Sequence, residues 1–241
     1  MQDRKDISRA GQGNEGAAPP ASIEESLAHA HAAGDAGLVQ LLEEIRACRH
    51  CLERPQGPPL PHDPRPVLQV STTARLLIAG QAPGTRVHAS GRPFTDPSGD
   101  RLRRWLGMDA ATFYDPARVA IVPMGLCFPG QDARGADLPP RPECAERWRR
   151  RIMQALPRLE LVLAIGHYAQ RWHLGPRCRR TLTETVRHWR EGLELSPPVV
   201  PLPHPSWRNN AWLKRNPWFE AEVLPWVRAR VRRMLELDAD A

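Results

Sequence analysis

Four short apolar runs constrain the fold of this 241-residue chain more than any other feature of its sequence. They cover residues 75–79, 119–122, 161–165 and 199–202, and stretches with helical periodicity separate them. Strands of a parallel sheet are buried on both faces, so they appear as continuous apolar runs rather than alternating ones. The sequence therefore predicts an α/β fold, a three-layer α/β/α sandwich around a central four-stranded, mainly parallel sheet.

The residues that follow these runs predict where a ligand would bind. Gln81, Pro123, Gly166 and His204 each stand just beyond the end of one run. Ligands of open parallel sheets bind beyond the carboxyl ends of the strands. We therefore expect these four residues on one rim of the sheet, at the functional site.

The chain is predicted to form one domain behind a disordered tail. Residues 1–21 are small and polar, with too little apolar content to offset the entropy of ordering, and we assign the domain to residues 22–241. A helical pattern runs from residue 23 to about residue 52 with a break near Gly34, and residues 55–66 are rich in proline. Further helices are predicted over residues 100–107, 143–156, 167–173, 182–190 and 212–237.

The formal net charge of +7 comes almost wholly from arginine, since Lys5 and Lys214 are the only lysines. A guanidinium group pairs with phosphate through two hydrogen bonds and stacks on bases, which favours a nucleic-acid partner over a small acidic metabolite. A basic surface that serves only solubility is the alternative. We expect one dense group of arginines to form a solvated helix face: Arg147, Arg149, Arg150 and Arg151.

The sequence contains no run of about 18 apolar residues, and its N-terminus is polar throughout rather than charged and then apolar. We therefore expect neither a membrane span nor a secretory signal, and we predict a cytoplasmic monomer. Five cysteines, an odd number at low density, also argue against the disulfide scaffold of a small secreted protein.

Four of the cysteines form two groups. Two residues separate Cys48 from Cys51, and sixteen separate Cys127 from Cys144. Thiolates are soft ligands, and four of them can bind one zinc ion or one iron-sulfur cluster, which the spacing alone does not distinguish. The alternative is that buried cysteines act as small apolar residues. Cys178 is left without a partner.

The first apolar run ends in the loop Gly80-Gln81-Ala82-Pro83-Gly84. Glycine lets backbone amides approach a ligand closely, which makes Gln81 and Gly84 candidate contacts. The loop lacks the Lys-Ser/Thr pair of a Walker motif, and a simple strand-ending turn is the alternative.

Two later segments carry side chains suited to chemistry on a nucleotide. Phe94 could stack on a base and Asp96 could orient a water molecule, although Asp96 before Pro97 is also the pattern of a helix N-cap. His204 could donate to a developing oxyanion, although a single histidine is often only a satisfied polar residue. Ser206 could hold a phosphate, and Trp207 and Arg208 could reach into a duplex.

Taken in order, the cysteine groups, the loop 80–84, Phe94 and His204-Pro205-Ser206 resemble the uracil-DNA glycosylase superfamily over about residues 48–235. The resemblance is closest to the iron-sulfur branches called families 4 and 5. It implies a 4Fe-4S cluster held by the four grouped cysteines. It also implies that Phe94 stacks on the flipped base.

The chain departs from that resemblance at two places. Many members carry an acidic or amide residue in the first loop to activate water, but Gln81 and Ala82 cannot act as a base here. Family 5 also has alanine there and uses an aspartate in a segment similar to residues 94–100, which implies Asp96 as the catalyst and Asp100 as the fallback. The asparagine that several families use to read uracil is replaced within residues 122–125.

The resemblance implies a DNA glycosylase that hydrolyses the N-glycosidic bond of uracil or another deaminated base. Asp96 and His204 would be catalytic. Two alternatives remain open: a glycosylase for hypoxanthine or xanthine, and an iron-sulfur protein that recognises modified bases without cutting. The implied binding residues are Gln81, Gly84, Phe94, Ser206 and Arg208, and the implied cluster ligands are Cys48, Cys51, Cys127 and Cys144.

Overall fold

The centre of the molecule is a four-stranded sheet whose strands match the predicted apolar runs. The computed structural model describes residues 22–237, so the predicted tail and the last four residues of the predicted domain lie outside the described residues. Every strand residue is buried. The strands are β1 (Leu76–Ala79), β2 (Val119–Ile121), β3 (Leu161–Ile165) and β4 (Val199–Leu202).

All three strand pairings are parallel, in the order β2-β1-β3-β4. Leu76 of β1 lies opposite Val119 on one side and Leu161 on the other. Because all four strands run in the same direction, their carboxyl ends lie at one edge of the sheet. This sheet confirms the predicted fold class.

Helices precede the sheet and fill the connections between its strands. The patterns did not predict α4 and α6, which are short, and α5 begins at Pro97 rather than at residue 100. In the first half of the described chain the helices are α1 (Ser22–Ala32), α2 (Ala36–Arg46), α3 (His50–Glu53), α4 (Thr85–Ser90), α5 (Pro97–Leu106) and α6 (Ala110–Phe113).

In the second half, two long predicted helices contain π-helical turns, at Ala145–Arg149 and at Phe219–Val223. The α-helices there are α7 (Pro142–Cys144), α8 (Arg150–Gln154), α9 (His167–Leu174), α10 (Leu182–Arg187), α11 (Asn210–Arg215) and α12 (Leu224–Leu235). Short 3-10 turns cover Gly175–Arg177, Trp189–Glu194 and Trp207–Asn209.

One prediction for the helical stretch after Cys144 is wrong, because Arg149 is buried rather than part of a solvated helix face. With 3.6 residues per turn, Arg149 lies about 60° around the helix axis from the buried Ile152 and about 160° from Arg147. It therefore belongs to the buried side of the helix. Arg147 and Arg150 are exposed, as expected.

The two faces of the sheet carry separate apolar cores. Leu77 and Ala79 of β1 belong to the core that contains α1 and α2, and Leu76 and Ile78 belong to the core that contains α5 and α12. This alternation follows from the two-residue period of a strand. The result is the three-layer sandwich that the sequence predicts.

No helix within residues 22–237 is both long enough and apolar enough to cross a bilayer.

Candidate active site

A cavity opens at the carboxyl edge of the sheet, where β1, β2 and β4 end. Its volume of about 110 Å³ gives room for several water molecules. Of the four residues predicted on this rim, Gln81, Pro123 and His204 line the cavity. Gly166 instead leads into α9 and is not part of the cavity lining.

Asp96 is both the N-cap of α5 and a wall of this cavity. Its Oδ1 accepts hydrogen bonds from the Ser98 hydroxyl (2.5 Å) and from the Gly99 amide (3.2 Å). Within the described chain, Oδ2 has no hydrogen-bond partner, so it remains available to a ligand or a water molecule. The fallback residue Asp100 is exposed, pairs with Arg103 and does not line the cavity.

Phe94 lines the cavity from a backbone conformation that a phenylalanine rarely adopts. Its φ is 55°, in the left-handed region that is costly for a bulky side chain. The Tyr114 hydroxyl donates to the Pro93 and Phe94 carbonyl oxygens at 3.1 and 3.0 Å. A Cβ on Gly99 would stand 1.8 Å from the Phe94 carbonyl oxygen, so the segment closes only with glycine there. These contacts hold the ring at the cavity.

His204 follows β4 and presents one ring nitrogen as a donor. Its Nδ1 accepts the Ser206 amide at 3.2 Å, which assigns the proton of the neutral ring to Nε2. Burial lowers the pKa of His204 below its ordinary value, against the opposing charges of Asp96 and Asp137. The ring is therefore neutral at pH 7 and can donate from Nε2 to an oxygen in the cavity.

The loop after β1 is bonded to the segment after β2. The Gly80 carbonyl accepts the Met124 amide at 3.0 Å, and the Gln81 carbonyl accepts the Gly125 amide at 2.9 Å. Gln81, Ala82 and Gly84 all line the cavity. The loop therefore forms part of the cavity wall.

Sequence reasoning missed Asp137, a second carboxylate that lines the cavity. Its Oδ1 accepts from the Gln131 side chain at 3.1 Å, and a Cβ on Gly84 would lie 3.2 Å from its Oδ2. Asp137 belongs to the loop between Cys127 and Cys144, where no pattern in the sequence points to the rim.

Ser206 and Arg208 lie outside the cavity, in an open groove that adjoins it. Arg101 donates to the Ser206 carbonyl oxygen at 3.1 Å and to the Asn210 side chain at 2.8 Å, which ties this loop to α5. Trp207 is 72% exposed beside Arg208. The predicted binding residues thus divide between a cavity sized for a small ligand and a basic groove outside it.

The family model of the Uracil DNA glycosylase superfamily matches residues 68–228, more than half of the chain. The chain belongs to this superfamily. Its members act on DNA and are generally hydrolytic glycosylases. The matched range contains all four strands and every residue named above in the cavity and the groove.

The superfamily match includes Cys127 and Cys144 but begins after Cys48 and Cys51. All four line one small cavity beside Trp148, and each of the five cysteines is a free thiol. Cys178 is not part of that cavity. The structure thus brings two groups of cysteines that are distant in the chain to the lining of one cavity.

The four thiols are close enough to influence one another. Burial, together with the negative charges of Glu143 and of the neighbouring thiols, raises the pKa of Cys51 to about 11 and that of Cys144 to about 12. Burial also raises the pKa of Cys127. A bound metal cation would reverse this effect, since coordination deprotonates a thiol. The Leu126 amide donates to the Cys144 sulfur at 3.3 Å, as it would to a coordinated thiolate.

Across residues 22–237, no three His, Cys, Asp or Glu side chains are grouped tightly enough to hold a single metal ion. The four cysteines therefore share a cavity without converging on one point. A metal centre at this place remains a prediction.

Proposed function

We propose that this protein is a DNA glycosylase that hydrolyses the N-glycosidic bond of uracil or another deaminated base. One observation carries the proposal: a carboxylate at Asp96, a neutral donor at His204 and an aromatic ring at Phe94 line the same cavity. That combination suits a reaction in which a cationic sugar and an anionic base develop together.

In the proposed reaction the target nucleotide leaves the DNA stack and its base enters the cavity, where the Phe94 ring stacks on it. Water forms a bond to the anomeric carbon as the bond from that carbon to the base nitrogen breaks, and the electron pair leaves with the base. His204 Nε2–H donates to the base oxygen on which this charge collects. Asp96 orients the water, takes up its proton and stabilises the cationic sugar.

The DNA backbone would follow the groove outside the cavity. Arg208, Arg101 and Arg86 line this groove and offer phosphate contacts, and the Ser206 hydroxyl adds a donor. The exposed Trp207 stands where a duplex would meet the protein. Gln81 and Gly84 supply contacts to the base or its sugar within the cavity.

We further propose that Cys48, Cys51, Cys127 and Cys144 hold a 4Fe-4S cluster with a structural role. A single tetrahedral zinc ion, with Zn–S bonds of about 2.3 Å, would draw its four sulfurs within roughly 4 Å of one another. A cubane accepts more widely spaced thiolates around one cavity, which agrees better with the absence of a tight ligand group in the described residues. When bound, the cluster would join α3 to the segment from Cys127 to Cys144.

Two features of the cavity favour the alternative of a protein that binds modified bases without cutting. Ala82 supplies no acid in the first loop. Pro123 lines the cavity in the segment where several families carry an asparagine that reads uracil, and it has no side-chain amide to do so. The same features leave the choice among uracil, hypoxanthine and xanthine open to experiment.

The test is to incubate purified protein with matched oligonucleotides that carry uracil, hypoxanthine, xanthine or no damage, and then to cleave abasic sites with alkali. We expect cleavage at one or more deaminated bases, none in the undamaged strand, and its loss in Asp96→Asn. Selective binding of a deaminated base without cleavage would favour the alternative. Neither binding nor cleavage of any of them would overturn both.

A further inference from the structure

Asp137 is a second carboxylate at the rim, and the proposed reaction gives it no role. It lines both the rim cavity and the adjoining groove, so it stands where the cavity opens into the groove. The residue is exposed, and throughout residues 22–237 no arginine, lysine or histidine forms an ion pair with it. A structural salt bridge therefore does not explain this carboxylate.

The loop around Asp137 fixes its position. Gln131 and Asp137 form an antiparallel backbone bridge. Between them, Asp132 Oδ1 accepts hydrogen bonds from the amides of Arg134 and Ala136 at 2.8 and 2.9 Å. The Gln131 side chain donates to Asp137 Oδ1 at 3.1 Å. The turn therefore holds the carboxylate at the rim and occupies one of its two oxygens.

The other oxygen, Oδ2, is open to the cavity. In the part of the chain that the structure describes, the only side-chain hydrogen bond of Asp137 is the one to Oδ1. A Cβ on Gly84 would lie 3.2 Å from Oδ2, so the glycine leaves this oxygen uncovered. An ionised carboxylate accepts hydrogen bonds and donates none. Oδ2 thus offers an acceptor that suits a ligand with an N–H group.

A donor faces the same cavity from another segment. His204 lines the cavity and carries its proton on Nε2, because Nδ1 accepts the Ser206 amide. Burial lowers the pKa of His204, and the charges of Asp96 and Asp137 oppose that change, so the Asp137 carboxylate lies near the ring. A donor and an acceptor around one small cavity match a base edge on which a carbonyl oxygen and a ring N–H are neighbours.

Deamination of a base creates such an edge. The ring nitrogen N3 of cytosine and N1 of adenine each carry a lone pair beside an amino group. The same nitrogens of uracil and hypoxanthine carry a hydrogen beside a carbonyl oxygen. A carboxylate attracts the N–H of the deaminated base and repels the lone pair of the parent base, so it discriminates between them by both effects.

We infer that Asp137 is a specificity-determining residue of the rim cavity, and that its Oδ2 accepts the ring N–H that a deaminated base carries and its parent base lacks. The inference rests on the proposed function, because it requires the flipped base to enter the cavity. The side chain of Pro123 neither donates nor accepts hydrogen bonds. Asp137 therefore supplies, from the loop between Cys127 and Cys144, the polar contact to the base that the segment after β2 lacks.

The test measures the affinity of the full-length protein for matched oligonucleotides that carry uracil, cytosine, hypoxanthine or adenine at one position. A fluorine at C2′ of that nucleotide destabilises the cationic sugar and blocks cleavage, so binding is measured without excision. Asp137→Asn keeps the size of the side chain but offers an amide donor as well as an acceptor. Asp132→Asn is the control, because it removes a charge from the same loop outside the cavity and can keep the hydrogen bonds to the backbone amides. We expect the preference for a deaminated base over its parent to fall by roughly tenfold or more in Asp137→Asn, and to stay within about threefold of the wild type in the control.

An equal loss of affinity for the deaminated base and its parent would overturn the inference, because the lost charge alone produces that result. A wild-type protein that prefers neither uracil over cytosine nor hypoxanthine over adenine would overturn it as well. Excision of the unfluorinated base by the wild type, with an unchanged preference in Asp137→Asn, would overturn this inference and leave the proposed glycosylase in place. A lost preference in Asp137→Asn without any excision by the wild type would support the inference and favour the protein that binds without cutting.

Discussion

The rim cavity and the cysteine cavity are built in opposite ways. The rim cavity is open, lined by Asp96 and His204, and each side chain stands at or near the end of a strand or the start of a helix. The cysteine cavity is smaller and more enclosed, and burial raises the pKa values of its thiols. An open polar site suits a ligand that enters and leaves, whereas a more enclosed thiol site suits a permanent one.

The two cavities nevertheless share parts of the chain. The loop between Cys127 and Cys144 carries Asp137 to the rim, and the helical segment that begins at Cys144 continues to Arg149, which donates to the Val122 carbonyl just after β2. Substitutions in the cysteine cavity should therefore also reduce excision at the rim cavity. Substitutions of the catalytic residues at the rim should leave the iron content of the cysteine cavity unchanged. The following substitutions test this asymmetry, from the largest expected effect to the smallest.

Cys144→Ser should abolish iron binding and cause a large loss of thermal stability, because it removes one of the four proposed ligands from a buried site. Excision should fall with it, since the loop that carries Asp137 loses its anchor. Iron and sulfide analysis with calorimetry measures both effects. Cys178→Ser is the control and should change neither. Full iron occupancy in Cys144→Ser would contradict the proposed ligand set.

Gly99→Ala should destabilise the protein by about 3 kcal/mol, at the upper end for overpacking, because its Cβ would meet the Phe94 carbonyl oxygen at 1.8 Å. Excision should fall as the Phe94 ring shifts, while iron content stays constant. Chemical denaturation gives the stability. At Gly37 in α2 a Cβ would meet only Asp35 Oδ1, at 3.8 Å, which is an ordinary contact, so Gly37→Ala should stabilise by up to about 1 kcal/mol. If Gly99→Ala and Gly37→Ala changed stability equally, the close contact between Gly99 and the Phe94 carbonyl oxygen would not exclude a side chain at residue 99.

Asp96→Asn should reduce excision about a hundredfold, roughly 2.7 kcal/mol, with little change in melting temperature. Asparagine caps a helix about as well as aspartate, so the substitution removes the charge but keeps the cap. Single-turnover kinetics measures the loss. Asp100→Asn, outside the cavity, should excise normally. Normal excision by Asp96→Asn, with reduced excision by Asp100→Asn, would instead identify Asp100 as the catalytic residue.

His204 should make stability depend on pH. Because the pKa of the folded-state ring is lowered, the unfolded chain binds more protons below about pH 6.5, and the free energy of unfolding falls as the pH drops through that region. In His204→Gln the loss of stability between pH 7 and pH 5 should be smaller than in the wild type. Denaturation at both pH values measures it. An equal loss in His204→Gln and the wild type would mean that the folded protein does not hold the His204 ring neutral.

Arg208→Gln should weaken DNA binding modestly and lower the slope of log affinity against log salt by about one, as expected for one lost phosphate contact. Binding titrations over a range of salt concentrations give the slope. Arg158→Gln alters an exposed residue just before β3, at the opposite edge of the sheet, and should not change it. If Arg208→Gln and Arg158→Gln showed the same slope, DNA would not bind along the groove that contains Arg208.

The sequence by itself determined the sheet and most of the rim. Buried parallel strands must be apolar throughout, so β3 and β4 were predicted with their observed bounds. Asp96 before Pro97 marks a helix start in any context, because the cap is a local hydrogen bond. The first loop and His204 follow strands directly, so their place on the rim follows from the direction of the strands.

Only the tertiary structure decided the rest. Phe94 adopts its left-handed backbone because Tyr114 and the close approach of Gly99 hold it there. Asp137 reaches the rim through a loop with no periodic pattern. Arg149 points inward, where the Val122 carbonyl and the His173 ring accept its hydrogen bonds, whereas sequence reasoning placed it wrongly in solvent. Each of these positions depends on contacts between segments distant in the chain, which no local pattern of residues encodes.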